Sequence, residues 1–447
     1  MKIRHISTSF TENDLKENSP FVYGLHKLRY EGGNFHEVML GYHETTTSVP
    51  FYEFSVSEMN KVQIAAEQMY DALYDAVGLL FTETNEEIAR FFGEHNRPDE
   101  SNFIARNPDF LAYAKYTYFT EHSALYGRFD MSVSPTGEIR FYEFNGDTPT
   151  MLFESSCVQD VMLTKVGLQQ EQHNWWQEYF QGNLVHMVDP GDVVAVVAKM
   201  DITTDAMTAE YTYNSIIQTG HQAILMDFSD LMYDDLDRKF HYDGTIVNKI
   251  YILKPWEEMV EESPDIIGQW GKWSKDVRFF EPAWRWFTSN KGIWAYLTDI
   301  LLHDRHPMDQ RFRAFKDTHA HVKEFLIPSY MEDDKPADML DYIAKPVIGR
   351  CSSSMRIFKD GVQVRNTGGW YSGVDCIVQQ WTPPPALPGR DQFVTCMWMA
   401  PYDYESDRMA MVGALLTIRE CKGDITDIRN ESVYPCIVSE DNDASVS

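Results

Sequence analysis

The chain has little cysteine and little positive charge. Its six cysteines, in 447 residues, form no CxxC pair. This usage is typical of reduced thiols in a cytoplasm and argues against a disulfide scaffold or a cysteine-based zinc site. Lysine and arginine number 39 against 68 aspartates and glutamates, which gives a formal net charge of −29. Binding to nucleic acid or to anionic membranes needs clustered positive charge, so we expect neither partner.

Long apolar segments are missing as well. No apolar run reaches the ~18 residues of a membrane-spanning helix. Residues 1–10 are polar and mixed and contain no apolar signal region. We therefore expect a cytoplasmic protein without a membrane segment. With 43% hydrophobic residues the chain can still build a core, and its length suggests about three domains or one large composite domain.

Two local patterns are clear. Ser55 and Glu58 have capping-box spacing, and apolar residues follow at helical intervals as far as Leu80, which predicts an amphipathic helix. Two strand-like runs, 127–133 and 138–145, flank a Ser-Pro-Thr-Gly turn signal and predict a β-hairpin. Residues 1–48 are polar and irregular and predict no element.

Further along, residues 190–255 read as strand, helix, strand and strand, which predicts a small α/β unit. The segment 151–182 has a helical pattern, and five strand-like runs lie between residues 341 and 418. The α/β unit thus separates two segments, about 105–180 and 280–438, and we expect these two to fold together.

The hairpin carries the first candidate site. Arg128 and Asp130 are two residues apart on one strand, as are Glu143 and Asn145 on the other, so each pair shares a face. If the faces match, Asp130, Glu143 and Asn145 bring together oxygen donors that suit Mg²⁺. An adjacent arginine suits a developing anion. The alternative is an ordinary polar strand face.

A second candidate cluster follows an apolar strand. Lys345 ends that strand, and a loop with Gly349, Arg350 and serines 352–354 comes next. Lysine, arginine, backbone N–H groups and hydroxyls bind phosphate, although the GxxxxGK[ST] pattern is absent. Arg419 likewise follows an apolar strand directly. The alternative for both is incidental surface charge, which is common and contributes little.

Together these motifs resemble the signature of the glutathionylspermidine synthase family, the ATP-grasp acid–amine ligases. Arg128-Phe-Asp130 and the string from Tyr142 to Thr150 resemble its central motif. Further segments resemble family motifs in the same order: 253–258 ("PWE"), 281–291 ("EP.W…SNK"), 342–351 ("KP..GR"), 376–381 and 417–420. The likeness covers roughly residues 50–438.

The resemblance implies an α+β ATP-grasp fold with a small α/β pre-ATP-grasp domain. It divides the chain into an unassigned extension (1–48), a helical segment with the Mg²⁺-binding hairpin (49–185), the pre-ATP-grasp unit (186–265), the nucleotide-binding portion (266–438) and an acidic tail expected to be disordered (439–447). The family's bifunctional members add an amidase with a nucleophilic cysteine. The first cysteine here is Cys157, so we expect the synthetase module alone.

The implied reaction is amide formation. ATP phosphorylates a carboxylate, and an amine then attacks the acyl phosphate; glutathione or another peptide acid with a polyamine is the family's best-known pairing. The resemblance gives ATP and Mg²⁺ as cofactors. The metal ligands implied are Asp130, Glu143 and Asn145. The catalytic arginines implied are Arg128, Arg350 and Arg419.

Nucleotide binding is implied for Lys291, Lys345, Gln379, Gln380, Trp381 and Arg419. Contacts with the acid are implied for Thr148 and Thr150, and contacts with the amine or peptide end for Glu257 and Glu258. The sequence departs from the family at Ser352 and Ser354, where a glycine and an asparagine are common. Because glycine is conformationally permissive, closure of this loop over phosphates is left open.

Two other functions stay open at this point. One is an ATP-binding protein of the same fold that does not catalyse and acts through a partner. The other is a carbohydrate-active enzyme, suggested by 14% aromatic residues, which would leave the basic residues unexplained. The oligomeric state, the identity of the substrates and the role of segment 301–335 cannot be read from the sequence.

Overall fold

Helices and strands alternate along the chain. The computed structural model describes residues 1–8, 14, 49–93, 103–371, 373–403, 410–423, 425 and 431–441. The α-helices are α1 Val56–Leu80, α2 Asn85–Phe92, α3 Phe103–Arg106, α4 Pro108–Phe119, α5 Gln159–Lys165, α6 Trp176–Met187, α7 Thr203–Gln218, α8 Trp256–Glu262, α9 Pro264–Gly268, α10 Trp270–Trp273, α11 Arg285–Ser289, α12 Gly292–His303 and α13 Gln310–Thr318.

The strands form five sheets in the described part of the chain. They are β1 Lys2–Ile6, β2 Val49–Ser55, β3 Gly127–Val133, β4 Ile139–Asn145, β5 Val193–Ala198, β6 Gln222–Asp227, β7 Met232–Asp234, β8 Lys239–Tyr242, β9 Thr245–Val247, β10 Lys249–Leu253, β11 Arg278–Phe280, β12 Ser329–Met331, β13 Tyr342–Pro346, β14 Arg356–Lys359, β15 Val362–Asn366, β16 Cys376–Gln380, β17 Gln392–Asp403, β18 Ala410–Cys421, β19 Glu431–Tyr434 and β20 Cys436–Ser439.

The central sheet has the order β19-β18-β17-β3-β4, and all its neighbours are antiparallel. It contains the predicted hairpin, β3 and β4. The pairing of β3 with β17, with Asp130 opposite Cys396, joins two segments that are more than 250 residues apart. Helix α1 packs on β18. The capping box of α1 is confirmed, since the Ser55 side chain accepts from the Glu58 backbone and Glu58 accepts from the Ser55 backbone.

The predicted α/β unit is a parallel sheet, β11-β10-β5-β6, with α7 connecting β5 to β6. The run Val193–Ala198 is almost wholly buried, as expected for an inner parallel strand covered on both faces. The fourth strand, β11, comes from Arg278–Phe280, beyond the segment 186–265. The small antiparallel sheet β7-β8-β9 lies in the connection between β6 and β10.

A third large sheet, β12-β16-β13-β14-β15, is antiparallel and carries Lys345 and Gln379. Its edge strand β12 comes from segment 301–335, which also contains α13 packed against α1. The segment with a helical pattern, 151–182, is broken into a π-helical turn, Glu154–Val158, then α5, a 3₁₀ turn and the start of α6.

The chain ends differ from the sequence prediction. Strands β1, β2 and β20 form a three-stranded sheet that the sequence did not predict. Strand β20 reaches Ser439, and Asp441 accepts a hydrogen bond from Ser57 Oγ at 2.9 Å, so the expectation of disorder from Ser439 onward is wrong for these residues. Residues 442–447 and most of the extension 1–48 lie outside the described residues. Within those described, no helix is long and apolar enough to cross a membrane.

A buried arginine fixes the hairpin to the helical layer. Arg285 is fully buried at the start of α11, which packs against β4. Its guanidinium donates to the carbonyl oxygens of Gly146 (2.8 Å) and Tyr126 (2.7 Å) and lies 3.4 Å from Glu281. The resembling "EP.W" segment, which contains Glu281, therefore holds both ends of the hairpin in place.

We predict that Arg285→Met lowers the thermal midpoint sharply. Removing one partner of a buried ion pair costs roughly 3–5 kcal/mol, because the buried Glu281 carboxyl loses its cation and the carbonyl oxygens of Gly146 and Tyr126 lose their donor. Arg311→Met is the matched control, since Arg311 is exposed and pairs with Asp309 on the surface. Equal midpoints for the two variants, measured by differential scanning fluorimetry, would contradict this role of Arg285.

Candidate functional site

A cleft between the central sheet and the β12–β16 sheet is lined by six of the fifteen predicted site residues. It encloses about 580 Å³ of space, its open mouth included. Asp130 and Glu143 line one wall, and Lys345 and Gln379 line the other. A further part of the lining is apolar and includes Ile343, Met355, Val394, Ile425 and the ring of Trp381.

Asp130 lies between two arginines on the central sheet. Its Oδ1 is 2.6 Å from Arg128 Nε, and its Oδ2 is 2.8 Å from Arg419 Nη1. Burial alone would raise the pKa of Asp130, but the two guanidinium groups lower it below its ordinary value. This side chain is therefore a carboxylate in the folded protein. Asn145 is adjacent, with its Nδ2 3.5 Å from Asp130 Oδ2.

Glu143 is directly opposite Asp130 in the hairpin register, as the matching of faces requires. Its Oε2 is 3.2 Å from Lys291 Nζ. Burial would raise the pKa of Glu143, yet Lys291 lowers it, so this carboxyl is also ionised. Two carboxylates and one amide on a single face form the hard oxygen set that Mg²⁺ prefers. The residues present thus fit the predicted metal.

The two predicted lysines come from different elements: Lys345 lines the cleft, and Lys291 lies against Glu143. Lys291, at the start of α12, donates to the carbonyl oxygen of Gly349 at 2.6 Å, in addition to its pair with Glu143. Lys345, on β13, donates to Gln379 Oε1 at 2.8 Å. Burial lowers the pKa of Lys345 to about 8. Facing cations and carboxylates give the cleft the charges needed to hold a metal-bound polyphosphate.

Arg350 belongs to the loop 349–354, which the sequence predicts to bind phosphate, and it contacts residues predicted to bind the substrates. Its guanidinium pairs with Glu257 and with Asp147 Oδ2 (3.0 Å), and its Nε is 3.3 Å from Thr148 Oγ1. Burial raises the pKa of Glu257 and Arg350 opposes this effect. The structure thereby brings together Arg350, Thr148 and Glu257, which are distant in the sequence and for which substrate contacts are predicted.

Some predicted residues lie elsewhere or act through the backbone. Glu258 pairs with Lys199 at 2.6 Å, at the edge of the parallel sheet. Thr150 contributes its carbonyl oxygen, which accepts from Arg128 Nη1 at 2.5 Å. Gln379 is 1% exposed and supports Lys345, whereas Gln380 is exposed and lines the cleft.

Sequence reasoning missed two carboxylates of the site. Asp147 pairs with Arg350, and Glu431 accepts from Arg419 at 2.6 Å. Asp147 could have been predicted from the sequence, because it belongs to the motif that runs from Tyr142 to Thr150 and follows the end of a strand. Glu431 belongs to no motif, and only the pairing of β18 with β19 brings it beside Arg419.

The serine-containing loop adopts the conformation that glycine favours. Cys351, Ser352 and Ser354 have φ values of 51°, 52° and 60°, which cost of order 1 kcal/mol each for residues with a side chain. Hydrogen bonds to two serine hydroxyls in the loop offset this conformational cost. Ser353 Oγ accepts from Trp370 N at 2.9 Å, and Ser354 Oγ accepts from Tyr371 N at 3.1 Å. The serines thus fasten this loop to residues 367–371.

Comparison with known proteins gives a family match over most of the chain and weaker matches to individual proteins. The model of a family described as glutathionylspermidine synthase preATP-grasp matches residues 25–438. A Haemophilus influenzae protein named "Putative acid–amine ligase" is 22% identical over 359 residues, which cover 76% of this chain and 79% of that protein.

Two solved structures resemble the chain more distantly. A glutathione synthetase-like effector from Globodera pallida, in its apo form, has a TM-score of 0.48 at 9% identity and covers 88% of this chain and 92% of its own. A Methylobacillus flagellatus structure titled "Putative gamma-glutamylcysteine synthetase" has a TM-score of 0.42 at 8% identity, with coverage of 73% and 82%. Since both scores are below 0.5, the family match carries the assignment.

We predict that Ser353→Ala loosens the loop of residues 367–371. Loss of one hydrogen bond worth about 1 kcal/mol should speed amide exchange at Trp370 about fivefold. Hydrogen exchange followed by mass spectrometry measures this rate in the peptide that covers the loop. Ser229→Ala, on a distant exposed turn, is the control. Exchange in this peptide as slow as in the control would show that the serine does not fasten the loop.

Proposed function

Since the chain belongs to the glutathionylspermidine synthase family, whose members combine an ATP-grasp fold with a pre-ATP-grasp unit, we propose that it is an acid–amine ligase driven by ATP cleavage. One observation carries the proposal furthest. Asp130 and Glu143 present carboxylate oxygens on one wall of the cleft, opposite the buried ammonium group of Lys345, and Asn145 is adjacent to Asp130. This is the arrangement that phosphoryl transfer requires, because its catalysis consists mainly of positioning and charge neutralisation.

The first step is attack of a substrate carboxylate oxygen on the γ-phosphorus of ATP, with cleavage of the bond to ADP. Mg²⁺ at Asp130, Glu143 and Asn145 would neutralise charge on the phosphate oxygens. Lys345 and Lys291 bind the phosphates, and Arg419 faces the transferring group. The apolar wall that contains Ile343, Met355 and Trp381 suits a purine base. Its apolar side chains can cover the faces of an aromatic ring without leaving polar groups of the protein unpaired.

The second step is attack of a neutral amine on the carbonyl carbon of the acyl phosphate. Negative charge develops on the oxygen of that carbonyl group, and Arg128 stabilises this oxyanion. Phosphate then leaves, the amine nitrogen loses a proton to solvent, and the products are the amide, ADP and phosphate. If Asp130 held a metal ion, its carboxylate would attract the Arg128 guanidinium less strongly, and Arg128 would be available to the oxyanion.

The substrate side of the site favours a peptide acid and a cationic amine. Thr148 and Arg350 offer a hydroxyl and a cation for a carboxylate. Glu257, at the start of α8 and beside Arg350, offers an acidic group for an ammonium, whereas Glu258 pairs with Lys199. We therefore propose glutathione or a similar peptide as the acid and a polyamine as the amine. The net charge of −29 also attracts cations, although acidic surfaces commonly serve solubility alone.

The non-catalytic alternative gains nothing from the structure. Its sequence support was the replacement of glycine and asparagine by Ser352 and Ser354. The loop adopts the left-handed conformation in spite of these side chains, and Ser354 fastens it. A catalytic site with its cations and carboxylates in place agrees better with an active ligase.

We predict that Arg128→Ala lowers kcat at least about a hundredfold, because one cation that stabilises an oxyanion contributes a factor of this order. The measurement is ADP release with Mg-ATP, glutathione and spermidine, extended to a panel of acids and amines. Arg140→Ala is the matched control, since Arg140 is on the same hairpin and pairs with Glu138 on the surface.

The two variants separate catalysis from folding. Full activity in Arg140→Ala with loss in Arg128→Ala, measured at a temperature well below both thermal midpoints, supports the ligase. ATP binding by the wild-type protein without turnover of any pair in the panel would favour the non-catalytic alternative. Absence of ATP binding would contradict the proposed function outright.

A second prediction concerns pH. The pKa of Lys345 is about 8 in the free protein, so the ammonium is present at pH 7 and mostly lost at pH 9. Bound phosphate favours the charged form, and the Kd for ATP should therefore rise about tenfold between these pH values. Lys345→Arg keeps its charge throughout and should abolish the rise. Isothermal titration calorimetry measures both proteins, and the same rise in the variant would assign the effect elsewhere.

A further inference from the structure

Ser329 is buried directly behind the cleft. It opens β12, in the segment for which the sequence predicts no role, and its exposed fraction is 0%. It is the cross-strand partner of Gln379 in the antiparallel pair β12–β16. Its Oγ accepts from Gln379 Nε2 at 3.1 Å and donates to the carbonyl oxygen of Ile327 at 2.9 Å. The backbone N–H of Ser329 donates to Thr298 Oγ1 at 3.0 Å.

These bonds decide which way the Gln379 amide points. The oxygen and nitrogen of an amide have nearly the same size, so hydrogen bonds alone select the orientation. A hydroxyl has one proton, and that of Ser329 is engaged by Ile327 O, which leaves Ser329 Oγ as an acceptor toward Gln379. The NH₂ group therefore faces Ser329, and the oxygen faces Lys345.

The opposite orientation of the amide would remove its hydrogen bond with Lys345. A reversed amide would place its NH₂ group against the ammonium of Lys345, and two donors cannot bond to each other. In the observed orientation Oε1 accepts one of the three N–H bonds of Lys345, at 2.8 Å. The other two remain for an anion in the cleft. A glutamine between buried apolar neighbours is costly without such partners, and Gln379 follows Ile377 and Val378, both fully buried.

We propose that Ser329 is a positioning residue for nucleotide binding: it fixes the Gln379 amide so that the amide oxygen aims the Lys345 ammonium into the cleft. The inference rests on the proposed function, in which Lys345 binds the phosphates of ATP. It assigns a role to segment 301–335, whose strand β12 supplies the hydroxyl.

A double-mutant cycle tests this role. Ser329→Ala removes the acceptor and lets the amide turn, so the Kd for ATP should rise about tenfold, the size expected for a hydrogen bond to a charged group. Gln379→Glu offers an acceptor oxygen in either orientation and no longer depends on Ser329. In that background, Ser329→Ala should change the Kd less than twofold. Equal losses in both backgrounds would overturn the proposal and leave Ser329 a purely structural residue.

A second readout keeps the inference separate from the ligase proposal. The rate at which acetic anhydride acetylates Lys345 at fixed pH, followed by mass spectrometry on the ligand-free protein, reports the fraction of neutral amine. Ser329→Ala should raise this rate in the native background and not with Gln379→Glu. If the wild-type protein binds no ATP, the proposed function fails, and the acetylation rates alone decide the positioning role: equal increases in both backgrounds, or no increase, would overturn it.

Discussion

The pairing of β3 with β17 puts the buried carboxylate of Asp130 between two guanidinium groups, and the rest of the site is arranged around that contact. Arg128 comes from the same strand, whereas Arg419 comes from β18, 289 residues further along the chain. An isolated charge at this depth would cost several kcal/mol, so the carboxylate and the arginines hold one another in the ionised state. In the proposed reaction, a metal ion held by Asp130 would weaken this attraction and leave the arginines available to the phosphates and the oxyanion.

Much of this arrangement could be predicted from the sequence, because it depends on local rules. Helical spacing behind a capping box predicted α1, a turn signal between two strand-like runs predicted the hairpin, and an apolar run before a helix predicted the α/β unit. Alternation along the strands put Asp130 and Glu143 on matching faces. The predicted α+β ATP-grasp fold with its pre-ATP-grasp unit is confirmed, while the roles of individual site residues remain predictions.

Other contacts depend on long-range pairing, which local patterns do not encode. Nothing in the polar segment before residue 49 indicates that β1 pairs with β2, or that β20 completes their sheet. Glu431 meets Arg419 only through the register of β18 and β19. Ser329 meets Gln379 because an edge strand from an unassigned segment docks on β16. Likewise, the sequence did not indicate that Ser353 and Ser354 accept hydrogen bonds from the backbone of Trp370 and Tyr371.

The central claim is that a carboxylate is activated as an acyl phosphate beside Asp130, and oxygen-isotope transfer tests it most directly. The acid substrate is labelled with ¹⁸O in its carboxylate, turned over with Mg-ATP and the amine, and the released phosphate is analysed by mass spectrometry. Attack on the γ-phosphorus followed by amide formation predicts one ¹⁸O atom in each phosphate. Amide formation with unlabelled phosphate would contradict the account, because the carboxylate oxygen would then never have been bonded to phosphorus.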